Sequence, residues 1–165
     1  MNQLYAEAGV KRKDNLKTTS LRFLMIVGIV IGVFLLFLGG LFGIVGVVLA
    51  VILVYLFPKL NVEYEYVFVD GQIDFDRISG KAKRKTLLRI DMEQVEIISP
   101  AGSHSLDNYN HVSLVNKDFS SGDKTSKPYV IIATKEDKKL KITFEPSEKM
   151  ITMMKQKSPR KVVQY

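Results

Sequence analysis

The stretch Phe23–Phe57, FLMIVGIVIGVFLLFLGGLFGIVGVVLAVILVYLF, runs for 35 positions without one charged side chain, between Arg22 and Lys59. A soluble core does not require so long a run. Eighteen or more uncharged apolar residues read as membrane-spanning, because a helix in hydrocarbon satisfies its own backbone hydrogen bonds. The remaining segments are therefore read as attached to a bilayer. A cleaved signal peptide is not expected, since its apolar region is shorter and its polar lead is not 22 residues long.

One helix of this length would measure roughly 52 Å against a hydrocarbon thickness of roughly 30 Å. Two helices, about 23–38 and 41–57, meeting at Gly39-Gly40, fit better. Glycine reaches positive φ without strain, so this pair is the expected point of reversal. Charge agrees: Lys11, Arg12 and Lys13 precede the block and Lys59 follows it. Lysine and arginine flanking a span mark the cytoplasmic side, so two crossings with both termini cytoplasmic are predicted. Gly28 and Gly32, then Gly46 and Ala50, stand four apart. That spacing suits close helix packing, either within the hairpin or in a homo-oligomer. With no ionisable group inside the block, a proton or ion pathway through it is not expected.

The chain carries no cysteine, which excludes disulfides and thiolate metal sites. Of 24 basic and 17 acidic residues, five and two precede the block, leaving 19 against 15 beyond it. That surplus is too small for a nucleic-acid binder, so no nucleic-acid partner is expected.

From Asn61 the pattern changes to period two, the mark of half-buried strands. Val62, Tyr64, Tyr66 and Phe68 share one face, and Asp70-Gly71 supplies a two-residue hairpin turn. Further strands are read at 72–77, 86–90, 94–99, 111–115, 129–134 and 139–144. Loops at 101–110 and 116–127 separate them, the second expected to be mobile. Ser147 opens a closing helix with Met150, Ile151, Met153 and Met154 on its apolar side, and Pro159 ends it. The predicted fold class is α+β: a transmembrane helical hairpin, then a PH-like β-barrel or sandwich of about seven strands capped by a C-terminal helix. The expected domains are a basic cytoplasmic tail (1–22), the hairpin (23–57), the cytoplasmic domain (60–157) and a flexible tail (158–165). Tyr5 and residues 160–165 are read as exposed ends.

The segment Gly80-Lys-Ala-Lys-Arg-Lys-Thr-Leu-Leu-Arg-Ile-Asp-Met-Glu-Gln-Val-Glu-Ile97, followed by Ile98, resembles part of bacterial membrane-anchored PH-like domains. In these, a basic turn leads into a strand. The layout is similar too, and the whole chain, from Tyr5-Ala-Glu-Ala-Gly-Val-Lys-Arg-Lys13 onward, resembles small two-span membrane proteins of clostridia-type bacteria with no assigned function. The resemblance implies a fold and is silent on activity.

Lys81, Lys83, Arg84 and Lys85 are the leading candidates for contact with lipid or a partner. Each basic side chain near an anionic leaflet contributes about 1 kcal/mol. Asp70, Asp74 and Asp76 lack the ligand number and loop geometry of a calcium site and are read as solvated charges. Ser103-His104-Ser105 and His111 offer no supporting acid for nucleophilic chemistry. No catalytic residue, metal or cofactor is assigned. The expected function is a non-enzymatic membrane-anchored module whose partners are membrane lipids, a protein or a second copy. The alternatives are an accessory subunit of a larger membrane complex and, less favoured, a membrane hydrolase using His104 or His111.

Overall fold

The computed structural model describes residues 4–80 and 83–164. The chain divides into two compact units: Met1–Arg12, Glu63–Ile78 and Arg84–Tyr165 form one, and Lys13–Val62 with Ser79–Lys83 form the other.

Among the described residues there are eight strands, lying in the first unit except for end residues of β2, β3 and β4: β1 (Tyr5–Lys11), β2 (Val62–Val69), β3 (Gln72–Ser79), β4 (Lys83–Asp91), β5 (Val95–Pro100), β6 (Val115–Asp118), β7 (Tyr129–Lys135) and β8 (Lys138–Phe144). They form two four-stranded sheets, ordered β1-β2-β3-β4 and β5-β7-β8-β6. The expected barrel is corrected to this pair of open sheets. After β4 the chain turns through Met92–Gln94 and enters the second sheet, so β4 and β5 are edges of different sheets.

Residues 5–11, read as part of a tail, instead form the first strand. β1 lies antiparallel on β2, from Tyr5↔Val69 to Lys11↔Glu63. Alternate residues Ala6, Ala8 and Val10 turn inward, and Ala6 is buried. The consequence for topology is large, because the entire apolar block lies between two neighbouring strands of one sheet.

Asp70 and Gly71 both adopt positive φ, as the tight β2–β3 turn requires. Glu136 and Asp137 do the same between β7 and β8. β6 begins at Val115, where the expected strand ends, and runs parallel to β8. The inward faces meet around Tyr66, Phe75 and Phe144, all essentially inaccessible to solvent. Phe75 stacks on Phe119 at 4.9 Å between ring centres, and Tyr66 meets Phe144 edge-on at 5.5 Å.

Phe119 belongs to the loop expected to be mobile, and the structure pins that loop instead. Tyr66 donates its hydroxyl to the Phe119 carbonyl, and burial pushes the phenol's pKa up. Ser121 donates from both N and Oγ to Glu145 Oε1, at 2.8 and 2.7 Å. Its two buried serines thus bond locally, Ser120 to Asp118, and to the neighbouring strand end, Ser121 to Glu145.

Helix α3 (Glu148–Lys157) is capped by Ser147 and buries Met150, Ile151 and Met154. The tail beyond it is not a free end. Ile98 donates to the Lys161 carbonyl at 2.7 Å and accepts from Val163 N at 2.8 Å, and Val162 is buried.

The second unit is a helical pair, α1 (Leu16–Leu38) and α2 (Gly40–Leu56), continued by a 3-10 turn at Phe57–Leu60. α1 therefore starts well before Phe23, with Asn15 as its cap: the Asn15 side chain accepts from Thr18 N at 3.0 Å. Gly39 and Gly40 take positive φ at the reversal. Gly32 and Gly46 meet at backbone contact, Gly32 also faces Ala50, and Gly28 faces Leu53. A methyl added at Gly46 would overlap the Gly32 carbonyl and lie 2.8 Å from Leu35 Cβ, whereas one at Gly43 would have 3.7 Å of clearance. Gly46→Ala is therefore expected to lower the thermal midpoint of the full-length protein in detergent, and Gly43→Ala to leave it nearly unchanged. Equal midpoints for both variants would contradict this packing.

Candidate functional site

Gly80 turns the chain with φ of 63°, and β4 begins at Lys83. Lys81 lies outside the described residues. Lys83 and Lys85 are exposed on β4, an edge strand with β3 as its neighbour in the sheet. Lysine on an edge strand discourages unwanted strand pairing, a structural reason for these two residues that needs no ligand.

Arg84 is different. Its Nε lies 2.6 Å from Asp76 Oδ2 and its Nη2 lies 2.8 Å from Glu65 Oε2. The guanidinium thereby clasps β4, β3 and β2, and Asp76 is only 5% exposed. Arg89 makes a second clasp, bidentate to Asp74 at 2.7 Å through both bonds. Asp70 Oδ1 accepts from Leu4 N at 3.0 Å. Asp74 and Asp76, read as solvated charges, are therefore partnered within the sheet, whereas Asp70 is exposed in the turn. Arg84→Ala leaves the Asp76 carboxylate buried without its cation, and removing the partner of a buried polar group costs about 1–3 kcal/mol. Denaturant unfolding is expected to show that loss, and Asp76→Asn should restore part of it in the Arg84→Ala background. An unchanged midpoint would show that the clasp contributes nothing.

The four basic candidates thus separate. Lys83 and Lys85 face solvent, Arg84 is committed internally, and Lys81 is not described. Sequence reasoning missed the Arg84 clasp because Glu65 is 19 positions away and no local pattern joins them. The strand at Tyr5–Lys11 did leave a signal, the alternation of Ala6, Ala8 and Val10 with Tyr5, Glu7 and Gly9.

The loop between β5 and β6 carries a 3-10 turn at His104–Tyr109. The expectation that no acid supports His104 is corrected, since His104 Nδ1 lies 3.1 Å from Asp107 Oδ2, while Ser103 Oγ pairs with Ser105 Oγ at 3.3 Å and not with the imidazole. The histidine is fully exposed. The loop borders a half-open cavity of about 200 Å³ with Tyr109, Asn110, Asn116, Ile132 and Lys141 in its lining. Beside it, Lys139 Nζ lies 3.0 Å from Glu96 Oε1, and Thr134 donates to the same carboxylate at 3.0 Å. These bonds, the lysine's first, hold the Glu96 carboxyl below the ordinary glutamate range. A carboxyl with a lowered folded-state pKa adds stability above its unfolded pKa and loses it as pH falls through the folded value. Unfolding measured from neutral to acid pH is expected to show a smaller acid-side loss in Glu96→Gln than in wild type. Parallel curves would contradict this role. Among the described residues, no group of three His, Cys, Asp or Glu side chains is placed to hold a metal ion.

Two facing sheets closed by a C-terminal helix, with the last turns of chain laid back along β5, define a PH-like domain. The chain belongs to the family described as a bacterial PH-like domain (DUF6106), which it matches over residues 2–164. The match takes in the apolar hairpin as well as the sheets, consistent with a hairpin built into the domain's own strand order. Comparison with curated proteins and with solved structures gives no match.

Proposed function

We propose that the protein is a membrane-anchored, non-enzymatic interaction module. Its helical hairpin crosses the bilayer twice and tethers a cytoplasmic PH-like domain, which meets a protein partner or an anionic lipid surface through Lys83 and Lys85. The observation that carries this reading is the register Lys11↔Glu63. The chain leaves the first sheet and returns beside its point of departure. A segment with adjacent ends crosses a bilayer an even number of times, so Lys11–Lys13 and Lys59 share one side, as the distribution of basic flanks favours.

The two helices are long and apolar enough to cross a membrane, 23 and 21 residues including the 3-10 turn. Most of their large side chains are uncovered: Phe37 is 85% exposed and Leu41 74%. Water is a poor solvent for so continuous an apolar surface, and lipid a good one. Because Gly28, Gly32, Gly46 and Ala50 already face the hairpin's own opposite helix, the sheet domain is favoured over the hairpin as the partner-binding part. PH-like domains are generally non-catalytic, which supports an interaction role over a hydrolase.

The test is purification of the tagged full-length protein from native membranes in mild detergent, beside a Lys83→Glu/Lys85→Glu variant. A stoichiometric partner protein or retained anionic lipid should fall at least about tenfold in the variant, given ~1 kcal/mol per basic residue at an anionic surface. Equal recovery from both proteins would refute the role of β4.

A further inference from the structure

The helical unit carries a groove that its own packing leaves open. It has a volume of about 570 Å³ and runs between α1 and α2, with Leu24, Gly28, Ile31, Leu53 and Leu56 along it. From Leu21 to Ile31 it extends roughly 15 Å, about half the hydrocarbon thickness, which is the depth of one leaflet. Among the described residues, Lys59 is the one charged residue in its lining, at the end remote from Gly39. The Lys59 ammonium sits 4.0 Å from the centre of the Tyr55 ring, steadied at that rim.

The same end is electropositive. Residues 16–62 contain Lys17, Arg22 and Lys59 and no acidic residue, and Arg22 pairs with Asp14 just before them. We propose that this groove is a lipid site, taking one acyl chain of an anionic phospholipid with its phosphate at Lys59. The inference rests on the membrane reading above and adds a bound ligand to it. A second copy of the chain is the poorer occupant, because two such electropositive ends would be brought together. A zwitterionic lipid fills the groove equally well but leaves Lys59 facing no net negative charge.

Native mass spectrometry of the full-length protein, offered phosphatidylglycerol and phosphatidylcholine in equal amounts in detergent, tests it. One phosphatidylglycerol per chain is expected, favoured about fivefold, the equivalent of ~1 kcal/mol from one lysine. Lys59→Gln should abolish the preference, and Ile31→Trp, filling the groove's deep end, should reduce retention of both lipids. Val30→Trp, on α1 but outside the groove lining, should behave as wild type, and unchanged helical circular dichroism checks that each variant folds. Equal retention of both lipids by wild type, an unchanged preference in Lys59→Gln, or a dimer that seals the groove without lipid would overturn the proposal. A chain that pellets with membranes yet retains no lipid overturns this inference alone, whereas a chain left in the supernatant overturns the membrane reading as well.

Discussion

Replacing residues 13–61 with a short Asn-Gly loop should give a water-soluble domain that unfolds in one cooperative transition, whereas a fragment starting at residue 60 should not. The first variant keeps β1 beside β2 and joins them by the tight connection that antiparallel neighbours accept. It also keeps Arg12, whose Nη1 donates to the Tyr64 hydroxyl at 2.7 Å. The second variant removes β1 altogether. Seven paired positions are then lost, from Tyr5↔Val69 to Lys11↔Glu63, along with buried Ala6. At about 1 kcal/mol net for each hydrogen bond, even four of them amount to ~4 kcal/mol. Domains of this size have only ~5–15 kcal/mol in total. The stripped edge of β2 would also offer unpaired backbone groups to other molecules, so aggregation is the expected fate. Comparable cooperative unfolding of both proteins would show that β1 is an ornament and that the hairpin is a simple N-terminal appendage.

Within that hairpin-free domain, Phe75→Ala should cost about 3–5 kcal/mol, the usual range for removing a buried phenylalanine. The ring is 1% exposed and meets Phe119, Phe144 and Tyr66 at 4.9, 5.7 and 5.8 Å between centres. Those partners come from the pinned loop, from β8 and from β2, so one truncation loosens both sheets and the loop together. Denaturant unfolding should show the midpoint falling with little change of slope. Phe75→Leu should lose markedly less. A loss below about 1 kcal/mol for alanine would mean that the aromatic cluster is not the core.

Much of this architecture is local and was legible in the sequence. The charge-free block, the Gly39-Gly40 reversal, the Asp70-Gly71 turn and the Ser147 cap each announce themselves within a few residues. What was not legible depends on residues far apart. Tyr5 and Val69 are strand partners 64 positions apart, and the alternation that marks β1 is written in alanine and glycine, weak strand formers. The basic cluster Lys11–Lys13 reads as part of a basic tail, although Lys11 is the last residue of a paired strand. The second sheet's order, with β6 parallel to β8, has no local signature either. The loop at 116–127 looked mobile by composition, because polarity does not reveal that Phe119 enters the core or that Glu145 receives Ser121. At the candidate site, charge alone singles out Lys83 and Lys85, which are exposed. The commitment of Arg84 to Asp76 and Glu65 required the fold.

The absence of cysteine permits a direct test of topology, since each introduced thiol is then the only one. Single cysteines at Lys17, Leu41 and Lys138, positions flanking, capping and following the hairpin, would be exposed to a membrane-impermeant maleimide in intact cells. Labelling of Leu41→Cys alone, with Lys17→Cys and Lys138→Cys reacting only after permeabilisation, is the predicted outcome. If Lys17→Cys and Lys138→Cys were separated by the membrane barrier, strands on either side of the hairpin could not pair as they do, and the inserted-hairpin account would fail.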